Sequence, residues 1–528
     1  MSTGNVVKRQ ISRKFKLSGL AIRADAVKAL ASALSQEDDV DGALTMVLGA
    51  IKARIERQEI KSALVDLAAV TAVVADLTKD EKDVASEAIT LVDAFAMPVL
   101  RYHSVRKCFF LDEGARPLHA GPELKARVFR ERFELVQQRV LRHKSFAKPL
   151  VGGGAKAKAG EGYIELTPLD SLLGAAGQKC LLGMITQQEE GQYYLEDLTT
   201  SIRIDMTKCK NSAGIFTEGC IVLAEGELED GTFVAHQMGF PPPETRHDTM
   251  RAMGPTQMDV LGTNFTAQHF AEMQALEDKS TDAMFVLVSD CHLDRPAVFE
   301  KIRTMLEGFA PLQPALFVFL GNFTSQPIGY GGGNSLADYV RHFDNLARLL
   351  LEFPALVASS RFVFVPGPND PGSANVLPRP PLPAFFTQRM RDRVPSASFA
   401  TNPCRLRFFT QEIVIFREEI LHKMRRNAIM PPMGDMQVTE HLVKTLCGQA
   451  HLCPLPLAAR PIYWAHDHAL RLYPLPDVLI LADRTEQYQW RYEDTAVLNP
   501  GAFAADFSFV VYRPATRETE FSRIDGDE

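Results

Sequence analysis

The chain has 528 residues, 46% of them hydrophobic and 23% charged, an ordinary globular make-up that is long for a single core and suggests about three domains. A formal net charge of −7 weighs against a chain whose main task is to coat nucleic acid. No apolar run approaches the ~18 residues that cross a bilayer and the N-terminus lacks a signal-peptide core, so a soluble, intracellular protein is expected.

Eight cysteines, at positions 108, 180, 209, 220, 291, 404, 447 and 453, include no Cys-x-x-Cys pair. That argues against a zinc ribbon or a thioredoxin-type motif and for buried reduced thiols, because free Cys packs as a small hydrophobe.

Residues 1–75 read as a small helical bundle. Val27, Leu30, Ala31 and Leu34 share a helical face, followed by Val40, Leu44, Val47, Leu48, Ile51 and Ile55, and then by Ile60, Leu64, Leu67 and Val74. Lys8, Arg9, Arg13, Lys14 and Lys16 make the first helix basic; a solvated face is the first expectation and a nuclear-import or DNA-proximal patch the second. Residues 76–162 are expected to be a helical connector and linker. Helix should run through Phe95, a strand-like segment should follow Pro98, and a charged helix should cover 124–144. Its Val128, Phe133, Val136 and Val140 make only a partial apolar stripe, suited to another domain's surface. VGGGAKAKAGEG, at 151–162, is a flexible linker by composition.

Residues 163–255 change texture. Short β-prone runs separated by Gly turns between 178 and 240 predict a five-stranded Greek-key barrel of the oligonucleotide/oligosaccharide-binding (OB) type. Single-strand binding needs a cationic groove with stacking aromatics. This span carries four Lys or Arg against ten Asp or Glu, a balance of −6, so a protein-docking barrel is expected, with Tyr193 and Tyr194 in its core or interface. A Pro-rich connection at 241–255 leads on.

The last domain, 256–528, opens with a helix near 271–282 and then the stretch MFVLVSDCHLD at 284–294, an apolar run ending in Asp290, Cys291 and His292. Such a run predicts a buried parallel strand with Asp290 and His292 at its carboxyl end, where open α/β sheets place ligands. LFVFLGN (316–322) and FVFVPGPND (362–370) follow the same grammar. GYGGGN, at 329–334, lacks a following Lys-Ser/Thr and is expected to be a plain loop.

Asp-x-His after one strand, Gly-Asn after the next and Gly-Pro-Asn-Asp after the third resembles the calcineurin-like metallophosphoesterases, with damage. The resemblance implies two bridged divalent metals. Asp290, His292, Gly321, Gly367 and Asp370 match; Asn322 stands for the bridging Asp, Pro368 for the Asn ligand and Asn369 for the catalytic His. PDVLILADRTEQY (476–488) stands where Gly-His-x-His is expected, and LNPGAF (498–503) matches the closing strand and turn. His451 matches a histidine of related active archaeal subunits. His466 and His468 lie outside the motif and are expected to be structural or surface residues.

HLCPLPLAARPIYWAHDHALRLYPLPDVLILAD (451–483), SSRFVFVPGPNDPG (359–372) and LPRPPLP (377–383) narrow the resemblance to the B subunits of replicative DNA polymerases, in their epsilon branch. The expected architecture is therefore multidomain α+β and α/β: a helical bundle similar to the C-terminal domain of AAA+ ATPases, an OB barrel, and a catalytically inactive phosphoesterase-like sandwich. The resemblance implies a nuclear accessory subunit without cofactor that binds the cysteine-rich C-terminal region of a polymerase catalytic subunit. Histone-fold subunits and replicative helicase components are expected nearby, with DNA contact weak or indirect. Asp290, His292, Asn322, Asn369, Asp370 and His451 would be vestigial positions. The alternatives are a residual metal-dependent phosphoesterase or exonuclease, and a B subunit of polymerase delta or alpha.

Overall fold

A computed structural model describes the chain except for residues 1–2, 35–39, 57–63, 68, 72, 74–87, 113, 148–162, 173, 255–258, 264–266, 329–334, 373–374 and 526–528. The linker at 151–162 and the glycine loop at 329–334 thus lie outside the described residues. The chain divides into two compact units, Met1–Val84 and Ala85–Glu528.

In the first unit, helices Thr3–Leu17, Ala24–Leu34 and Val40–Glu56 bury Ile11, Phe15, Leu30, Ala31, Leu34, Leu44, Val47, Leu48 and Ile51 in a common core. The apolar stripe drives this packing, and Arg9, Arg13 and Lys16 stay on the exposed face of the first helix. Helical periodicity does not reveal the short parallel pair of Ala21–Ile22 with Leu64–Val65. Ile60 and Val74 lie outside the described residues.

The second unit holds a barrel and two six-stranded sheets. Strands Lys179–Glu189, Gln192–Glu196, Ser201–Asp205, Thr232–Gly239 and Ile221–Glu229 pair in a closed circuit, with the two-residue strand Lys210–Asn211 on its edge. Asp230 and Gly231, both at positive φ, make the two-residue turn between the last two long strands. Leu181, Ile185, Leu195, Phe216, Val222 and Phe233 fill the barrel.

One sheet runs in the order Ala397–Phe399, Arg361–Val365, Leu316–Leu320, Phe285–Ser289, Ser508–Arg513 and Glu518–Arg523, the first four strands parallel. The other runs Tyr488–Tyr492, Thr495–Asn499, Val478–Ala482, Gln411–Arg417, Cys404–Phe408 and Ile89–Val92. Side chains of the two meet, Phe285 edge-on to Phe408 at 5.0 Å and Tyr512 Oη within 2.9 Å of Gln411 Oε1.

The connector departs from its pattern. Helix through Phe95 is expected, yet Ile89–Val92 is an edge strand antiparallel to Cys404–Phe408, and Arg361 donates to the Ile89 carbonyl. A β-branched, two-sided run of this kind suits a pleated surface, and its partner lies more than 300 residues away. The single strand-like segment expected after Pro98 is two strands, Val99–His103 and Cys108–Asp112, paired as a hairpin. Helix Pro122–Arg142 buries Val128, Phe133, Val136 and Val140, and Phe133, Val136 and Val140 pack on the barrel residues Cys180, Leu182, Met184 and Ile221. Six of the eight cysteines are buried, but Cys209 is half-buried and Cys108 exposed, which corrects a uniformly buried expectation.

Candidate functional site

Pairing in register brings Ser289, Leu320 and Val365 level, so Asp290, Gly321 and Pro366 leave the first sheet at one edge. On the facing sheet Arg417 is level with Ala482. Five of the residues singled out in the sequence meet here: Asp290, His292, Asn322, Asn369 and Asp370.

Arg417 organises this edge. Its side chain is wholly buried, and Nη2 donates to both Asp290 carboxylate oxygens at 2.8 and 2.9 Å and to Glu419 Oε1 at 2.9 Å. Nε donates to the Gly321 carbonyl and Nη1 to the Ala482 carbonyl. Asp290 has φ +54°, a left-handed conformation that Asp adopts more readily than most residues. Its Oδ1 also accepts from the Asn322 backbone N–H at 3.2 Å and from Asn322 Nδ2 at 3.0 Å. Burial alone would raise the Asp290 carboxyl, but the Arg417 charge and these hydrogen bonds outweigh it and hold the group well below the carboxylate range.

Asn322 ties the second loop to the third, its Oδ1 accepting the Asn369 N–H at 2.8 Å. Asp370 Oδ1 accepts from the Phe323 N–H at 2.8 Å and the Tyr339 hydroxyl at 3.1 Å, while Oδ2 accepts from the Gly367 N–H at 2.7 Å. Without an arginine in contact, burial pushes the Asp370 carboxyl up to about 6. The glycines of the two loops are sterically required. A Cβ on Gly321 would stand 1.9 Å from Asp370 Oδ2, and one on Gly367 would stand 2.7 Å from Asn322 Oδ1.

His292 is buried, its Nε2 3.7 Å from Asp290 Oδ1, too far for a hydrogen bond, and neither ring nitrogen has a partner among the described residues. His451 lies in another cluster, where Asp467 accepts from Arg132 and Arg471 and lies 3.2 Å from His451 Nε2. Burial lowers the His451 pKa to about 4. His466 and His468 are buried, not on the surface. The His466 ring packs on Phe95 at 5.0 Å, and His468 Nε2 is 3.1 Å from the Met97 carbonyl.

A dinuclear metal centre does not fit these residues. The Arg417 cation already sits on both oxygens of Asp290, the bridging position presents an Asn322 amide that donates, and Pro368 has no side-chain donor atom. Among the described residues no group of three or more His, Cys, Asp or Glu side chains is arranged to hold an ion. Asp483, where the terminal histidine motif would begin, is buried with its Oδ1 accepting from Thr485 and Asn499. Arg417 is the residue that motif matching misses. Its signal is there, since QEIVIFREE is another apolar run ending in charge.

The barrel docks on the same frame through helix Val438–Gly448 and its cap. The Ile221 N–H donates to Gln449 Oε1, and Gln449 Nε2 to the Ile221 carbonyl, both at 2.7 Å. The Gly214 N–H donates to His441 Nδ1, the Ile215 N–H to Thr445 Oγ1, and Thr217 Oγ1 to the Pro454 carbonyl.

Three family models match successive parts of the chain. The first, "DNA polymerases epsilon N terminal", covers residues 3–77, and the second, "DNA polymerase epsilon subunit 2-like, OB-fold domain", covers 122–242. The third, which describes the B subunit of DNA polymerases alpha and epsilon, covers 285–489. DNA polymerase epsilon subunit 2 of Mus musculus is 38% identical over 526 residues, and that of Homo sapiens 38% over 522 residues, each match covering 97% of both chains. The DNA polymerase epsilon B subunit of Arabidopsis thaliana is 38% identical over 539 residues, covering 99% of this chain and 100% of its own.

Proposed function

This chain belongs to the family of DNA polymerase epsilon B subunits, and on that premise we propose that it is a non-catalytic subunit that holds the C-terminal region of the polymerase catalytic subunit during chromosomal DNA replication. The observation that carries the non-catalytic part is the Arg417–Asp290 pair. A buried guanidinium takes up the carboxylate that would otherwise ligate metal, and so keeps the loops of a phosphoesterase-like edge together without an ion. Asp290, His292, Asn322, Asn369 and Asp370 are then vestigial positions, and His451 serves the separate Asp467 cluster.

The barrel and the two sheets form one platform, cross-linked by Gln449, Thr445 and Thr217, which supports the docking role. The catalytic subunit's cysteine-rich C-terminal module is the partner, with histone-fold subunits and helicase components close by and the nucleus as the site of action. No described helix is long and apolar enough to cross a membrane.

Co-expression with a C-terminal fragment of an epsilon catalytic subunit should yield a stable complex. The purified chain should not hydrolyse phosphomonoesters, phosphodiesters or single-stranded DNA with added manganese. Manganese-dependent turnover abolished by Asp290→Ala would overturn the non-catalytic assignment, and failure to co-purify would overturn the docking role.

A further inference from the structure

We propose that an arginine cluster on helices Leu336–Leu351 and Ala384–Arg393 is a docking site for an acidic peptide segment of a partner protein, which goes beyond the accessory-subunit assignment. The two helices pack side by side around Asp344, whose side chain is only 3% exposed. Three guanidinium groups converge on it: Arg348 Nη2 and Arg389 Nη1 on Oδ2 at 2.5 and 3.2 Å, and Arg393 Nη1 on Oδ1 at 2.7 Å. Their side chains are 60, 62 and 43% exposed. Three cations on one anion leave two positive charges, and most of the guanidinium N–H donors, facing outward.

Phe385 stands one helical turn before Arg389 and is 70% exposed, an aromatic left in water beside the cluster. Arginine with an exposed aromatic is the composition of interface centres, and arginine clusters recognise carboxylate and phosphate groups bidentately. The cluster is compact, since three guanidiniums touch one carboxylate. That shape suits one or two acidic side chains with an apolar neighbour on Phe385 better than the extended phosphate track of a nucleic-acid strand. The net charge of −7 repels a long polyanion, whereas a short peptide within a Debye length of about 8–10 Å feels mainly the local cations.

The test is fluorescence anisotropy on the full chain at low salt with three labelled probes: a short Asp/Glu-rich peptide carrying one Leu, its Asn/Gln twin, and an oligothymidylate. The acidic peptide should bind at least tenfold more tightly than its neutral twin. Phe385→Ala combined with Arg389→Ala should weaken it about tenfold, because Arg348 and Arg393 still neutralise Asp344. Asp344→Asn should tighten binding by releasing a third charge, a gain that a purely structural role for these arginines does not produce. Arg523→Ala, on another surface, should change nothing. Absence of peptide binding, unchanged affinity in both the double variant and Asp344→Asn, or tighter binding of the oligothymidylate lost in the double variant would each overturn the proposal.

Discussion

Arg417 and Asp290 are both nearly solvent-free, so removing either partner strands a charge in the interior, a loss of about 3–5 kcal/mol for a buried pair. Arg417→Met is expected to lower the unfolding free energy by about that much. The about 1 kcal/mol that hydrogen bonds alone suggest for Asp290→Ala understates the cost, because Asp290 also answers a buried guanidinium. Combining Asp290→Asn with Arg417→Met should recover part of the loss. A double-mutant cycle in denaturant checks this, and additive losses would refute the pairing as the cause. Binding to the catalytic subunit should survive Asp290→Ala and His292→Ala in protein that still folds. Asp370 behaves in the opposite way with pH. Its folded pKa of about 6 lies above the ordinary carboxylate value, so the folded state holds the extra proton and this group favours folding more as pH falls through 6 towards 4. The stability difference between the natural chain and Asp370→Ala should therefore grow by about 2 kcal/mol between pH 7.5 and 4.5. A pH-independent difference would show that the carboxyl is not raised.

Among the elements, Gln449 is the test of whether barrel and sheets are one body. Its amide completes the backbone pairing of Ile221, so Gln449→Ala leaves a buried N–H and a buried carbonyl without partners, at roughly 1–3 kcal/mol for each unsatisfied group. Thermal unfolding followed by circular dichroism should show a lower midpoint, and an unchanged midpoint would mean that the interface carries little energy. The elements themselves were legible in the sequence where their signal is local. The strand ends at Asp290, Gly321 and Pro366 follow directly from apolar runs that stop at polar or turn residues, and the stripe Val128, Phe133, Val136, Val140 marks a docking helix. Ile89–Val92 was not legible as a strand, because its ladder partner Cys404–Phe408 is distant in sequence. The same holds for His451. Motif matching places it near Asp290, while its actual neighbours are Asp467, further along the same 451–483 stretch, and Arg132, from a helix more than 300 residues earlier.

At the scale of the whole molecule, the division of the chain decides where a partner can be held. The pattern suggests cutting at the glycine-rich linker, so that residues 163–528 would be the docking fragment. Such a cut removes strand Ile89–Val92 from the second sheet and helix Pro122–Arg142 from the barrel, together with the buried Arg132–Asp467 pair. It exposes the apolar surface under that helix and leaves Asp467 short of one of its cations, so residues 163–528 are expected to aggregate or express poorly. Residues 85–528 keep every one of these contacts. That fragment should co-purify with the C-terminal region of an epsilon catalytic subunit as well as the full chain does, while residues 1–84 alone should not. The bundle then remains available for a different partner. Its basic helix Thr3–Leu17 should account for most of the weak, salt-sensitive binding of the full chain to single-stranded DNA, since the barrel balance of −6 repels phosphate. If residues 1–84 retain the polymerase fragment and residues 85–528 lose it, this assignment of interfaces is reversed. Tight DNA binding that survives deletion of residues 1–16 would refute the charge argument for the barrel.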